Sequence, residues 1–333
     1  LWRDPKQGTG LMKAWTVVLT NSCDVTSDYL CDRLSSAGLP VRRLDTDAIQ
    51  GVGFDIGEQE AVYTDGEGIE LKARDVAALI LRRPKPIEPI VEGDEYQKQH
   101  AAAEWAEAFE GFLAHVPAFR WINHPSRNFN ASHKIEQLKH AQAVGLNVPA
   151  WIVTTSSRQA SAFIQRNGPG IIAKPLASGF IERNEPSNDT VIYTAEIREG
   201  HRDVLTRIEA CPVLFQEQVS KTADVRLVVV ADEIVGVSMK AFGRDGRQRL
   251  DIRRDAMRDV EYSSVDVPSG VRSAVGRIMK EYGLVFGAFD FGVREDGEWV
   301  FFEINPNGQW AWLDLEAGTE IHRMFAKAIG QLI

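Results

Sequence analysis

The 333 residues, 44% of them hydrophobic and 26% charged, suit a globular protein of two or three domains around one cleft. A formal charge of -9 argues against a general nucleic-acid partner, which needs a basic stripe along phosphates. No apolar run approaches the ~20 residues that span a bilayer, and Cys23, Cys31 and Cys211 form no C-x-x-C pair, so a cytoplasmic protein with no membrane partner and no disulfides is expected.

Residues 1–11 (LWRDPKQGTGL) lack periodicity and read as an appended scar, with Met12 as the native start. Alternation then predicts a mostly parallel α/β layer. Its elements are strand 16–20, helix 25–37 with Ser22 or Asp24 as N-cap and Gly38 as stop, and strand 41–44. A small hairpin within 52–72, strand 77–81, helix 94–115 and strand 120–123 complete it. The pattern changes after Pro125. Helix 131–144, strand 150–154, helix 157–167 and strand 170–174 lead to a Gly/Ser/Asn-rich loop, 177–190. Four strands (213–217, 224–231, 233–240, 249–253), helix 269–282, a hairpin over 285–304 and a helix from about 317 follow.

The hairpin carries the most chemistry. Asp296-Gly297 signals a two-residue turn, which pairs Glu295 with Glu298 and sets Asp290 opposite Glu303 on one face, with Asn305 two residues on. Facing carboxylates repel, unless a hard cation such as magnesium lies between them with positions left for phosphates. The alternative is a solvated outer sheet face, and a one-residue slip removes the pairing.

Lys174 ends a buried apolar strand (IIAK) and needs an anion nearby. The following Leu176-Ala177-Ser178-Gly179 can cradle phosphates through backbone N–H groups. Lys134, in HKIEQLKHAQAVG, reads first as a solvated helix position. The segment VLFQEQV ends an apolar strand in Glu217, Gln218 and Val219, where an adenine can pair with backbone atoms. Asp224 and Arg226 share a strand face, where a carboxylate can hold ribose hydroxyls; the alternative is a cross-strand salt bridge.

In chain order, Lys134, Lys174, the connector 217–219, Asp224 and Asp290…Glu303-x-Asn305 resemble the ATP-grasp superfamily. The segments TVVLTNSCDVTSDYL, GLPVRRLDTD, LRRPKP, WINHPSRNFNASHKIEQLKHAQAVGL and FFEINPNGQW narrow the likeness to the graspetide (microviridin-type) synthetases, which mature ribosomal peptides. The resemblance implies an ATP-grasp fold of α/β and α+β class. Its parts are an N-terminal α/β domain (12–124), a central domain (125–212) and a C-terminal antiparallel-sheet domain (213–333). It also implies ATP and Mg2+. Lys134, Lys174, Ser178 and Gly179 then contact the nucleotide, Glu217, Gln218 and Val219 hold adenine, and Asp224 holds ribose. Asp290, Glu303 and Asn305 bind magnesium, and Arg226 steadies the transferring phosphoryl group. Asp251-Ile252-Arg253 resembles an Asp-Trp-Arg block, making Arg253 an acyl-phosphate contact; Trp310 is packing.

The implied reaction activates Asp or Glu side chains of a precursor peptide as acyl phosphates, which Thr, Ser or Lys side chains attack. The leader peptide would bind near residues 219–224, and the likeness implies a homodimer. Competing readings are an ATP-grasp ligase for free amino acids or a peptide terminus, and a non-catalytic nucleotide-dependent peptide binder.

Overall fold

The computed structural model describes residues 14–89, 91–177, 179–181, 190–243, 246–252 and 259–332. The stretch 1–11, Ser178, most of the loop 177–190 and Arg253 lie outside these. The chain forms two compact units. One holds the chain up to Asn128, Leu284–Phe286 and the chain from Asn307; the other holds Phe129–Gly283 and Gly287–Pro306. The sequence border at 212/213 therefore falls inside the second unit, and the C-terminal stretch returns to the first.

In the first unit, β1 (Trp15–Thr20), α1 (Val25–Ser36) and β2 (Val41–Asp45) form a parallel pair. Where one hairpin was expected, β3 (Gly53–Ile56), β4 (Ala61–Thr64) and β5 (Glu70–Lys72) make a three-stranded antiparallel sheet. The chain continues through β6 (Val76–Leu81), α2 (Glu95–Ala114) and β7 (Trp121–Ile122), closing a sheet of order β2-β1-β6-β7. All six β6 residues are buried, as a parallel strand covered on both faces requires. Asp94 and Gln97 start α2 with a reciprocal capping box. Asp24 is the N-cap of α1, as one of the two expected candidates, but its side chain makes no cap hydrogen bond. Its carboxylate accepts from the Thr20 and Ser27 hydroxyls and faces Arg82 Nε at 3.6 Å. Arg82 is 1% exposed, and a buried cation needs a counter-charge more than the helix needs a cap hydrogen bond.

Next come α3 (Pro125–Ala131) and α4 (Lys134–Ala143), where a single helix was expected. Ser132 closes the first by a turn onto Phe129 O and His133 is extended, so Lys134 opens a helix. In the second unit, β8 (Trp151–Thr154), α5 (Ser157–Asn167) and β9 (Ile171–Lys174) follow. After β10 (Phe180–Ile181), β11 (Thr190–Val191), β12 (Ala195–Ile197) and a 3-10 helix (Glu199–Ala210), β13 (Val213–Glu217) completes an antiparallel sheet of order β12-β9-β13-β8. Phe163, Ile171, Leu205, Ile208 and Phe215 form the core on one face of it.

The second sheet of this unit has order β16-β15-β14-β17-β18. Its strands are β14 (Ala223–Val230), β15 (Glu233–Lys240), β16 (Glu261–Ser264), β17 (Phe286–Val293) and β18 (Trp299–Asn305), with α6 (Ser269–Tyr282) before β17. The strand expected at 249–253 does not form over 249–252. There the Gln248 side chain bonds Ala241 N (2.9 Å) and Met239 O (3.1 Å), taking ladder positions that another backbone would use. The edge partner of β15 is β16 instead.

The helix expected from about 317 is α8 (Ile321–Gly330) of the first unit; an unexpected α7 (Ala311–Glu316) precedes it, the two separated at Gly318 (φ +64°). Asp314 bonds Thr319 Oγ1, Ile321 N and His322 N across the break. Trp310 is fully buried and stacks on Phe325 (centroids 5.2 Å), a packing role as expected. Among the described residues, no helix is long and apolar enough to cross a membrane.

Candidate nucleotide and metal site

The carboxylate pair forms, but by a different route from the one expected. The β17–β18 connection is a three-residue loop, not a two-residue turn. Arg294 N donates to Glu298 O (2.9 Å), Gly297 N to Arg294 O (3.1 Å), and Gly297 sits at φ +85°. From there the pairing runs Val293↔Trp299, Gly292↔Val300 and Phe291↔Phe301, one residue off the expected register. A β-bulge at Phe302 then restores the register, so that Asp290 faces Glu303 and Ala288 faces Asn305. Two one-residue offsets cancel. The bulge also turns Phe302 and Glu303 the same way: both are partly exposed, whereas Phe301 and Ile304 are buried.

Asn305 draws the acidic pair together. Its Nδ2 donates to Asp290 Oδ2 (3.3 Å) and Glu303 Oε1 (3.2 Å). Arg226, from β14, reaches Asp290 Oδ1 with Nε at 3.1 Å, and its buried Nη1 has no hydrogen-bond partner among the described residues. Arg226 thus makes a cross-strand salt bridge, with Asp290 on the neighbouring β17. Lys134 Nζ lies 3.6 Å from Glu303 Oε2 and donates to Pro175 O (3.2 Å) and Ala177 O (3.4 Å). The solvated-helix reading of Lys134 fails because this lysine is the first residue of α4. Burial pushes the Glu303 carboxyl up, but Lys134, the Asn305 hydrogen bond, Lys174 and Arg226 outweigh it and hold the group below its ordinary value.

Lys174 Nζ donates to Gln216 Oε1 (3.0 Å) and lies 5.0 Å from the centre of the Phe302 ring. Burial pulls its pKa down to about 8; Glu303 opposes that, while Lys221 and Lys134 add to it. Asp224 bonds Lys221 Nζ and receives Gln248 Nε2 at 2.9 Å. Burial raises its carboxyl above the ordinary value despite both partners. Glu217 faces Arg294 Nη2 (3.6 Å) and Ala150 N (3.4 Å), Gln218 N donates to Gly170 O (2.7 Å), and Val219 is buried. At Gly179 an added Cβ would come within 2.5 Å of Ile192 O, so only glycine fits beside that backbone.

Sequence reasoning missed Phe302, Lys221, Gln216 and Gln248. The consecutive aromatics Phe301-Phe302 broke the strand alternation and were the one signal available for the bulge; Lys221, Gln216 and Gln248 left none.

The donors suit a hard cation: two carboxylates and a carboxamide gathered at hydrogen-bonding distances, where turning the Asn305 amide would present a third oxygen. Among the described residues no group of three His, Cys, Asp or Glu side chains could hold a metal, so Asn305 is needed to complete the set. The orphaned Arg226 Nη1 and the crowded lysines suit a polyphosphate.

No protein-family model matches the sequence, and neither does any curated protein. Solved structures do. The macrocyclase MdnC from Microcystis aeruginosa, bound with precursor peptide MdnA, aligns at TM-score 0.81 and 24% identity over 95% of this chain and 99% of that one. A RiPP-associated ATP-grasp ligase of Chryseobacterium gregarium, in complex with ADP and a leader and core peptide, aligns at TM-score 0.82 and 23% identity over 96% of each chain. This chain has the ATP-grasp fold. A third match, the ATP-grasp ligase PsnB with minimal precursor, Mg and ADP, gives TM-score 0.74 and 20% identity over 95% of this chain and 97% of that one.

Proposed function

We propose that the chain is an ATP- and magnesium-dependent ligase that crosslinks side chains of a ribosomal precursor peptide. The observation that carries this reading is the convergence of Asp290, Glu303 and Asn305 beside Arg226, Lys134 and Lys174, on the fold of ligases solved with ADP and precursor peptides. Asp290, Glu303 and Asn305 would hold magnesium, which when bound offsets phosphate charge. Arg226 meets the transferring phosphoryl group with its unpartnered Nη1, and Lys134 and Lys174 contact phosphates or base. Ser178 and Gly179 belong to the phosphate loop, the connector 217–219 to the adenine, Asp224 to the ribose and Arg253 to the acyl phosphate.

In the reaction a peptide carboxylate takes the γ-phosphoryl group and ADP leaves. A Thr or Ser hydroxyl, or a Lys amine, then displaces phosphate, giving an ester or amide with net loss of one water per bond. The three-domain division, a homodimer and a cytoplasmic location belong to the same proposal; light scattering tests the dimer.

The test is mass spectrometry of any Thr-, Glu- and Asp-rich peptide encoded next to this chain, after incubation with ATP and Mg2+. Mass losses in whole multiples of water, with ADP release, are expected. Glu303→Gln should cut ADP release by about 100-fold. Nucleotide hydrolysis without peptide mass loss would favour the free-amino-acid ligase, and no nucleotide binding would end the proposal.

A further inference from the structure

β18 is the edge strand of its sheet, so its outer N–H and C=O groups need partners from outside the ladder. Asn147 O takes Phe301 N (2.8 Å). At Ile304 a single carboxamide takes both backbone groups. Gln137 Oε1 accepts from Ile304 N (3.1 Å), and Nε2 donates to Ile304 O (2.8 Å) and to Ala131 O (2.6 Å). Two carbonyls at one end and an N–H at the other fix which end of the amide is nitrogen. Gln137 is 3% exposed and Ile304 is buried, so no solvent reaches these bonds. The bulge at Phe302 interrupts the ladder two residues earlier, and the Gln137 amide holds β18 where a further strand would.

Ile304 stands between Glu303 and Asn305, whose side chains lie on the partly exposed face while that of Ile304 is buried. A displacement of this one residue's backbone therefore moves both polar side chains. Gln137 also comes one helical turn after Lys134 on α4, and Lys134 Nζ lies 3.6 Å from Glu303 Oε2. The same helix thus carries the lysine and the clamp on the strand that the lysine faces. Magnesium tolerates little error in its ligands, because it demands near-octahedral geometry at about 2.0–2.1 Å. We propose that Gln137 is a positioning residue for the metal: by holding Ile304 it sets Glu303 and Asn305 at the spacing magnesium requires and keeps Lys134 in step with them. This rests on the metal site proposed above.

The test compares binding of MgATP and CaATP by calorimetry, without peptide. It uses the wild type, Gln137→Leu and the near-isosteric Gln137→Met, each checked for folding by its thermal transition. Calcium accepts looser geometry than magnesium, so it reports what remains of the site when the ligands drift. In both variants MgATP affinity should fall about tenfold, as for residues that orient metal ligands, and CaATP affinity by less than about threefold. Equal losses for the two cations, or no loss, would overturn the assignment. So would absence of a thermal transition in both variants, which would make Gln137 a determinant of the fold alone. Failure of the wild type to bind MgATP more tightly than ATP with a chelator would instead refute the metal site itself.

Discussion

The bulge at Phe302 depends on a glycine across the ladder, which makes Gly292→Ala a sharp perturbation. A Cβ at position 292 would lie 2.7 Å from Phe302 Cζ, 3.1 Å from Cε2 and 3.4 Å from Lys221 Cδ. Contact between carbons is comfortable at about 3.5–4.0 Å, so the ring must move by about 1 Å. Gly292 is paired with Val300 on β18, so the ring has to leave its rotamer. That costs ~0.5–1.5 kcal/mol. The move also pulls the ring from the Lys174 and Lys221 ammonium groups, now 5.0 and 5.6 Å from its centre, losing ~0.5–1 kcal/mol each. Removing a glycine from a strand returns ~0.5–1 kcal/mol. The net expectation is a loss of ~1–2 kcal/mol in urea unfolding at unchanged m-value, with weaker nucleotide binding. The decisive comparison is the same substitution in a Phe302→Ala background, where nothing remains to clash and alanine should be neutral or slightly stabilising. If Gly292→Ala costs as much without the Phe302 ring as with it, the steric account is wrong.

Three further outcomes follow from the geometry. Asn305→Asp would set a third carboxylate beside Asp290 and Glu303, lowering metal-free stability by ~1–3 kcal/mol, and a thermal melt should recover more with added Mg2+ than the wild type does. Burial raises the Asp24 carboxyl, but Arg82 and three side-chain hydrogen bonds bring it below its ordinary value. A depressed carboxyl contributes stability above its unfolded pKa of about 4 that is lost as pH falls through the folded value, so Asp24→Asn should flatten unfolding free energy against pH in that acid range. Cys23 and Cys211 are exposed, whereas burial pushes the Cys31 thiol up to about 11. A thiol reagent at pH 8 should therefore modify two cysteines quickly and Cys31 only slowly.

Elements bounded by local chemistry were readable in the sequence. Helix 157–167 matches because Ser156 accepts Gln159 N and Gly168 ends it, and helix 269–282 because Gly283 supplies the left-handed stop at φ +65°. The parallel layer was legible from continuous apolar runs such as VAALIL. What failed depended on side chains acting at a distance. Asp24 stands at the N-cap of α1 as expected, but its carboxylate serves Arg82, 58 positions away in a sequence that gives no sign of their meeting, and makes no cap hydrogen bond. Gln248 displaces a predicted strand by bonding β15 itself. At the site, Asp290 and Glu303 were paired through a wrong turn and an unseen bulge. The agreement there was arithmetic, and Phe302 was lost with it.

The charges around the site argue for what completes it. Lys134, Lys174, Lys221 and Arg226 stand among Asp224, Asp251, Asp290 and Glu303, so cations and carboxylates match in number among these described residues. Such a set is balanced without a ligand, yet strained: burial draws the Lys174 pKa down to about 8, Asp224 is raised, and Arg226 keeps an unpartnered N–H among the described residues. A lone polyphosphate would relieve the lysines but repel Asp290 and Glu303, and a lone divalent ion would relieve the carboxylates but crowd Lys134 and Arg226. A nucleotide arriving with magnesium brings both signs at once, adds less net charge than the bare polyphosphate and gives each strained group a partner. Nucleotide and metal should therefore bind cooperatively here. Calorimetry should show ATP affinity falling at least tenfold when Mg2+ is chelated, and independent binding of the two would refute the argument.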